Sequence, residues 1–468
     1  MVAPQGVAIP ALCRLGATQL AALLTKGEVS SREIATSFLE HIDSVNPAHN
    51  AIVSLRNRDA ILAEADAADE RLRAQGPDGL LHGLPIAIKD LAATRGLRTT
   101  FGSPIHADFV PDADSLTVER IRAAGAIIIG KTNTPEFGLG SHTYNPVFGT
   151  TRNAFDPRLS AGGSSGGAAA ALALRMLPVS DGSDMGGSLR NPAGYNNVYG
   201  MRPSQGRVPN AGSEDLFYSQ LSTDGAMARS VADLAGLLAI EAGPDPRAPL
   251  ALQDGLSWEP GVHARPGRIA WLGDLGGHLP MEAGVLDVCE RALARLADAG
   301  CTVEPVTPAF DWERLWSAFV VLRQFSIAGK YGPLYDDPAT RDLLKPEMRW
   351  EIESGRRLGV EALYAAARTR TAWYLECLRL FEAFDALALP SAQLFAFDAE
   401  WHWPRDIAGQ AMDSYHRWME VVAPGTLSGC PVISLPAGFH RSNRSMGLQL
   451  IGRPRDDARL LGLAELYA

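Results

Sequence analysis

Short apolar runs of β type alternate with segments of helical period along most of this chain. No other feature constrains the fold as strongly. Strands that alternate with helices build a sheet whose faces the helices cover. GLPIAIKDL holds one such run, from Leu84 to Leu91, and AIIIGKTN holds another at 126–133. Further strand candidates are RIAWLGD near 268, ALALPS near 386, CPVISLPAG near 430 and GLQLIG near 447. Residues 30–44 begin on serine and repeat apolar residues at helical spacing, and 58–74 read as a second helix. A further helix lies near Ser115 to Ala124, and 311–384 turns strongly helical. The predicted class is α/β with a largely buried sheet.

The length of 468 residues allows two or three domains or one large α/β unit. Lys and Arg total 43 against 53 Asp and Glu, a net charge of −10, which argues against a broad nucleic-acid surface. The five cysteines (Cys13, Cys289, Cys301, Cys377 and Cys430) are odd in number and form no CxxC pair. A disulfide framework or structural zinc site is not expected, and a reducing cytoplasm fits. The stretch from Ala168 to Val179 is interrupted by Arg175 and Pro178 and is too short to span a bilayer.

Residues 133–225 are rich in Gly, Ser, Asn and Pro. A long run of turn formers inside a compact chain is usually functional or disordered, and short helical and strand-like pieces here favour function. Three segments in or near it carry possible chemistry. In Gly83-Leu84-Pro85-Ile86-Ala87-Ile88-Lys89-Asp90 a lysine ends an apolar strand. Alternation turns Lys89 and Asp90 to opposite faces. A poorly solvated lysine with no carboxylate beside it loses its proton more easily and can act as a base. Taken alone, such a lysine more often reaches water. Ala161-Gly162-Gly163-Ser164-Ser165-Gly166-Gly167 precedes an Ala/Leu helix. It also satisfies G-x-S-x-G, but the polar GTTRNAFDPRLSA before it is not the strand that a nucleophile elbow requires. In Asp181-Gly182-Ser183-Asp184-Met185-Gly186-Gly187-Ser188-Leu189-Arg190-Asn191-Pro192 a serine follows two glycines in a turn whose N–H groups could hold an oxyanion. Together the segments supply base, relay and nucleophile, a triad with lysine in place of histidine.

At these residues the sequence resembles the amidase signature family. GLPIAIKD, AGGSSGG and GSDMGGSLRNP carry the likeness, with GMRPSQGRVP at 200–209, the early SREIATSFLEHIDSVNPAHNA and the late SGCPVISLPAGF and GLQLIGRPRDD. The likeness runs from about 15 to 465 and is weakest between about 240 and 385. It implies a single large α/β/α domain with a central mixed twisted sheet covered by helices. Residues 1–75 would form a helical N-terminal segment, 76–240 the core with the catalytic residues, and 241–468 the remainder of the α/β domain. It also implies a Ser–cisSer–Lys triad: Ser188 as nucleophile, Ser164 behind a cis peptide as bridge, and Lys89 as base. The N–H groups of Met185, Gly186, Gly187 and Ser188 would form the oxyanion hole. Gly138 and Gly140, with Ser164, would line the scissile group. No metal and no organic cofactor would be needed. Asp184 and Arg190 would brace the loop or form a purely structural ion pair.

The implied activity is hydrolysis of amide C–N bonds through an acyl-enzyme, acting on a small-molecule amide, carbamate (urethane) or ester. No nucleic-acid or membrane partner is expected, and the protein would be a cytoplasmic monomer or homodimer. The region 311–385 is rich in aromatic residues, among them Trp312, Trp316, Phe319, Phe325, Tyr331, Tyr335, Trp350, Tyr364, Trp373 and Tyr374. They either line a specificity pocket or form helix core, and the pocket reading leans to aryl amides, anilides and aryl carbamates. Trp401-His402-Trp403 also favours an apolar site. Two alternatives are the glutamine amidase component of a tRNA-dependent amidotransferase and a catalytically silent binding scaffold.

Overall fold

A computed structural model describes residues 8–212, 214–218 and 220–468. All six strand candidates form strands. Two of them, Pro85–Lys89 and Ile127–Thr132, pair in parallel, and Ile52–Val53 adds an antiparallel edge. This small sheet is separate from an eight-stranded sheet. The spatial order of the large sheet is Thr302–Pro305, Arg268–Trp271, Ala386–Pro390, Ser445–Gly452, Val432–Phe439, Tyr199–Arg202, Thr223–Ala228 and Val179–Asp184. Its first three strands run parallel and the remaining pairings are antiparallel, so it is mixed. The fold is that of the α/β class read from the sequence.

Local chemistry explains the elements that surround the site. The helix Ser31–His49 starts on a reciprocal cap, with Glu33 N–H donating to Ser30 Oγ at 3.1 Å and Ser30 N–H to Glu33 Oε2 at 2.8 Å. It buries Ile34, Phe38, Ile42 and Val45 and ends on Asn50 with φ 51°. The helix Gly166–Ala173 is buried along its whole length. It packs so closely that a Cβ on Gly167 would lie 2.3 Å from Asn133 N and 2.6 Å from Ala51 O. Only glycine fits there, and this contact draws the Gly/Ser loop down onto the small sheet.

Three strands of the large sheet, Val179–Asp184, Tyr199–Arg202 and Thr223–Ala228, arise from the segment whose composition reads as turns. Their sequences (VSDGSD, YGMR and TDGAMA) lack an apolar run because the sheet edge they form is built around buried polar groups. Asp181, Asp184 and Arg202 are all at most 3% exposed. All five cysteines are free and buried. No helix among the described residues is long and apolar enough to cross a membrane.

Candidate active site

The site lies where the small sheet meets the edge of the large one. The backbone N–H of Lys89, at the end of Pro85–Lys89, donates to Asp181 Oδ1 of the edge strand at 2.9 Å. This fixes the strand end and sends the Lys89 side chain across the seam. Its Nζ lies 2.8 Å from Ser164 Oγ, 2.8 Å from Ser165 Oγ and 3.0 Å from Ser183 Oγ. Lys89 is 1% exposed, and among the described residues no carboxylate accepts a hydrogen bond from its Nζ. Burial pushes its ammonium down to about 7, against the opposing pull of Asp181, Asp224 and Asp184. Asp90 turns away as alternation requires, and accepts from the backbone N–H and the hydroxyl of Thr100.

Ser164 follows a cis peptide bond after Gly163, as the family resemblance implies. The loop holding Ser188 is tied to the Ser164 loop through Ser165 N–H, which donates to Ser188 O at 3.2 Å. The Ser188 hydroxyl has no hydrogen-bond partner among the described residues, so Lys89 and Ser164 form a closed contact and Ser188 stands open beside it. Hydroxyls of this kind commonly close their contact only when substrate is bound.

Behind Ser188 the loop is braced by charge. Arg190 donates to Asp184 through Nε and Nη2, both at 3.0 Å, and its remaining donors reach Val422 O, Gln449 Oε1 and Thr426 Oγ1. All five guanidinium donors are thereby used. Arg202 lies 3.6 Å from the same carboxylate. Burial alone would raise Asp184, but the two arginines hold it well below the usual carboxylate range. Asp184 also accepts the N–H groups of Gly187 at 2.9 Å and Leu189 at 3.1 Å. One of the four N–H groups expected to form the oxyanion hole is therefore already hydrogen-bonded. The Gly187 N–H is committed to Asp184, whereas those of Met185, Gly186 and Ser188 have no acceptor among the described residues.

Gly138 and Gly140 both adopt positive φ, 72° and 99°. A Cβ on Gly138 would lie 3.5 Å from Ser164 Oγ, so its backbone borders the triad candidates. One on Gly140 would lie 3.8 Å from the ring of Tyr415.

The family profile described as Amidase matches residues 33–461. The chain belongs to the amidase signature family, and it is an amide-hydrolysing enzyme. It is 35% identical over 474 residues to a component of the glutamyl-tRNA(Gln) amidotransferase of Thermus thermophilus, covering 96% of this chain and 95% of that protein. It is 34% identical over 461 residues to an acylamidase of Rhodococcus erythropolis, covering 96% and 94%. Among solved structures, a bacterial aryl acylamidase of the same family superposes with a TM-score of 0.90 at 26% identity, covering 97% of this chain and 95% of that one.

The aromatic residues of 311–385 in this amidase stand in different surroundings. Phe319, on the helix Trp312–Asp336, comes within 3.0 Å of a Cβ placed on Gly186. Tyr331 packs on Phe137 with ring centres 4.8 Å apart, beside Gly138. Trp312 and Trp373 instead meet edge to face in the core, and Tyr364 is exposed. Trp401 stacks on Phe397, and Trp403 lies under Arg405. A groove of about 880 Å³ runs past Phe217, Tyr218, Phe325, Tyr364 and Tyr374, but none of Lys89, Ser164 and Ser188 lines it. His278, Glu313 and Glu420 bring ligand atoms within 4.8 Å of one another. Arg417 already supplies the positive charge there, 2.6 Å from Glu313 and 2.9 Å from Glu420, so the group is an ion-pair network.

Ser165, Ser183 and Asp181 escaped the sequence reading as partners of Lys89. All three stand inside segments already singled out, and the hydroxyls of the first two were the available signal. Arg323, Glu351, Tyr415 and Met419, from distant parts of the chain, carried none.

Proposed function

We propose that this amidase cleaves aryl or bulky apolar amides, anilides and aryl carbamates or esters through a Ser188–Ser164–Lys89 triad and an acyl-enzyme. Lys89 carries the reading: it is a buried amine 2.8 Å from Ser164 Oγ whose Nζ makes no carboxylate hydrogen bond among the described residues. Neutral Lys89 directs N–H groups at Ser165 and Ser183 and keeps its lone pair for the Ser164 proton. As Ser164 gives that proton, it takes one from Ser188, and Ser188 Oγ attacks the carbonyl carbon. The N–H groups of Met185, Gly186 and Ser188 receive the oxyanion, each good donor contributing about 3–4 kcal/mol. Ser164 returns a proton to the leaving nitrogen. Water then hydrolyses the ester by the same relay in reverse.

Phe319, Met419 and the ring of Tyr415 supply the apolar surface that supports an aryl preference. The test is mass spectrometry after phenylmethylsulfonyl fluoride, alongside turnover of a primary amide, an anilide, a phenyl carbamate and glutamine. One sulfonyl adduct, lost in Ser188→Ala, and turnover of the anilide are expected. An unmodified Ser188 with no turnover of any substrate would establish a silent scaffold, and preference for glutamine would establish the amidotransferase reading.

A further inference from the structure

The wall that meets Met185 of the Ser188 loop holds a buried polar cluster that the proposed chemistry does not use. Arg323 is 3% exposed and donates from Nε to Glu351 Oε1 at 2.6 Å and from Nη2 to the Tyr415 hydroxyl at 2.7 Å. Tyr415 donates in turn to Glu351 Oε1 at 2.6 Å, closing a triangle. Among the described residues the remaining arm, Nη1, reaches only Met185 Sδ at 3.4 Å, and a thioether is a weak acceptor. A guanidinium with donor capacity left over therefore abuts the nucleophile loop, three residues before Ser188, with its charge cancelled from behind by Glu351. Lys345, the other cation at this wall, gives its Nζ to the carbonyl of Leu139. The triangle also holds the Tyr415 ring 3.8 Å from a Cβ on Gly140, while Phe319 and Met419 crowd Gly186 at 3.0 and 3.4 Å. Phe319, Met419 and the Tyr415 ring thus put apolar groups beside Gly186 and Gly140, backed by a neutralised arginine.

We propose that Glu351 is a specificity-determining residue: by cancelling Arg323 it makes the pocket accept uncharged amides and reject amides that carry a carboxylate. The same guanidinium, if unpaired, would be a bidentate carboxylate receptor. Glu351 thus works by exclusion, setting a buried negative charge against the wrong substrate. The inference rests on the reading of the Ser188 loop as the acyl-binding loop.

Binding is the test, because it separates this inference from the triad. In the Ser188→Ala protein, titration calorimetry compares butyranilide with N-phenylsuccinamate, and 4-methylacetanilide with 4-acetamidobenzoate. Each pair differs in one carboxylate, placed on the acyl or on the amine side. The neutral member should bind at least tenfold tighter in one pair or both. Glu351→Gln keeps the acceptor for Arg323 and Tyr415 and removes the charge, and should shrink that ratio at least tenfold by strengthening the charged ligand. Arg323→Gln should widen it. An unchanged ratio in Glu351→Gln, charged ligands that bind as well as their neutral partners in both pairs in the parent, or no binding of any ligand would overturn the proposal. If circular dichroism shows that Glu351→Gln does not fold, the parent ratios and Arg323→Gln decide. Failure of sulfonylation at Ser188 in the unsubstituted enzyme would instead overturn the triad.

Discussion

Replacing Lys89 with methionine separates a base from a structural post. An amine at 10.5 is neutral in about one molecule in 3,000 at pH 7, whereas one held at about 7 is neutral in half of them. Burial therefore raises the supply of base on the order of 10³-fold. The acid limb of kcat/KM for an anilide should fall near pH 7. Lys89→Met should lose activity by about 10³-fold or more, since it removes both the base and the relay it drives.

Stability moves differently. The folded state holds Lys89 at a depressed value, so between about 7 and 10.5 the unfolded chain binds a proton that the folded chain does not. Stability from this group therefore rises with pH across that window, by up to about 1.4 kcal/mol per pH unit. Keeping the amine buried costs about 4 kcal/mol at pH 7 on this arithmetic. Its hydrogen bonds to Ser164, Ser165 and Ser183 return about 0.5–1.5 kcal/mol each. Lys89→Met should thus lie within about 2 kcal/mol of the wild type at pH 7. The wild type should then gain about 2 kcal/mol on it between pH 7 and 9. Urea denaturation at both pH values gives the comparison, and the difference between the curves isolates Lys89 from the neighbouring Lys131 and Asp181. Activity within tenfold of wild type, an absent acid limb between pH 6 and 8, or parallel stability curves would refute the reasoning.

Two further outcomes follow from the brace and from the proposed chemistry. Arg190→Met strips Asp184 of its bidentate partner in a fully buried place and should cost about 3–5 kcal/mol in urea denaturation, with Arg202 limiting the loss; a loss under about 1 kcal/mol would remove Arg190 from that role. Dialysis against EDTA should leave anilide turnover unchanged, because Lys89 and the loop amides supply base and electrophile. Inhibition that added metal reverses would point to a different hydrolytic mechanism.

The sequence exposed the ends of this site better than its middle. Lys89 was legible because a charged residue closes an apolar strand, and Ser164 and Ser188 because glycines flank them. These signals are local and survive in one dimension. The six strands with apolar runs were legible for the same reason. The strands Val179–Asp184, Tyr199–Arg202 and Thr223–Ala228 were not, since they exchange the apolar pattern for Asp181, Asp184, Asp224 and Arg202. The loss of pattern is itself the trace of function: a sheet edge that must hold a depressed lysine beside buried carboxylates cannot also read as a hydrophobic strand.

The same reasoning separates the N–H groups of the Ser188 loop. A glycine-rich turn offers several N–H groups, and sequence treats them alike. Asp184 distinguishes them, because a buried carboxylate fixed by Arg190 needs further donors and takes those of Gly187 and Leu189. That choice leaves the N–H groups of Met185, Gly186 and Ser188 without an acceptor among the described residues. It fixes the turn at Gly187, where φ is 86° and any Cβ would meet Val422 at 2.8 Å. The aspartate that sequence could place only as a brace or as half of a structural ion pair therefore decides which amides remain for chemistry. The arginine behind it makes that decision rigid.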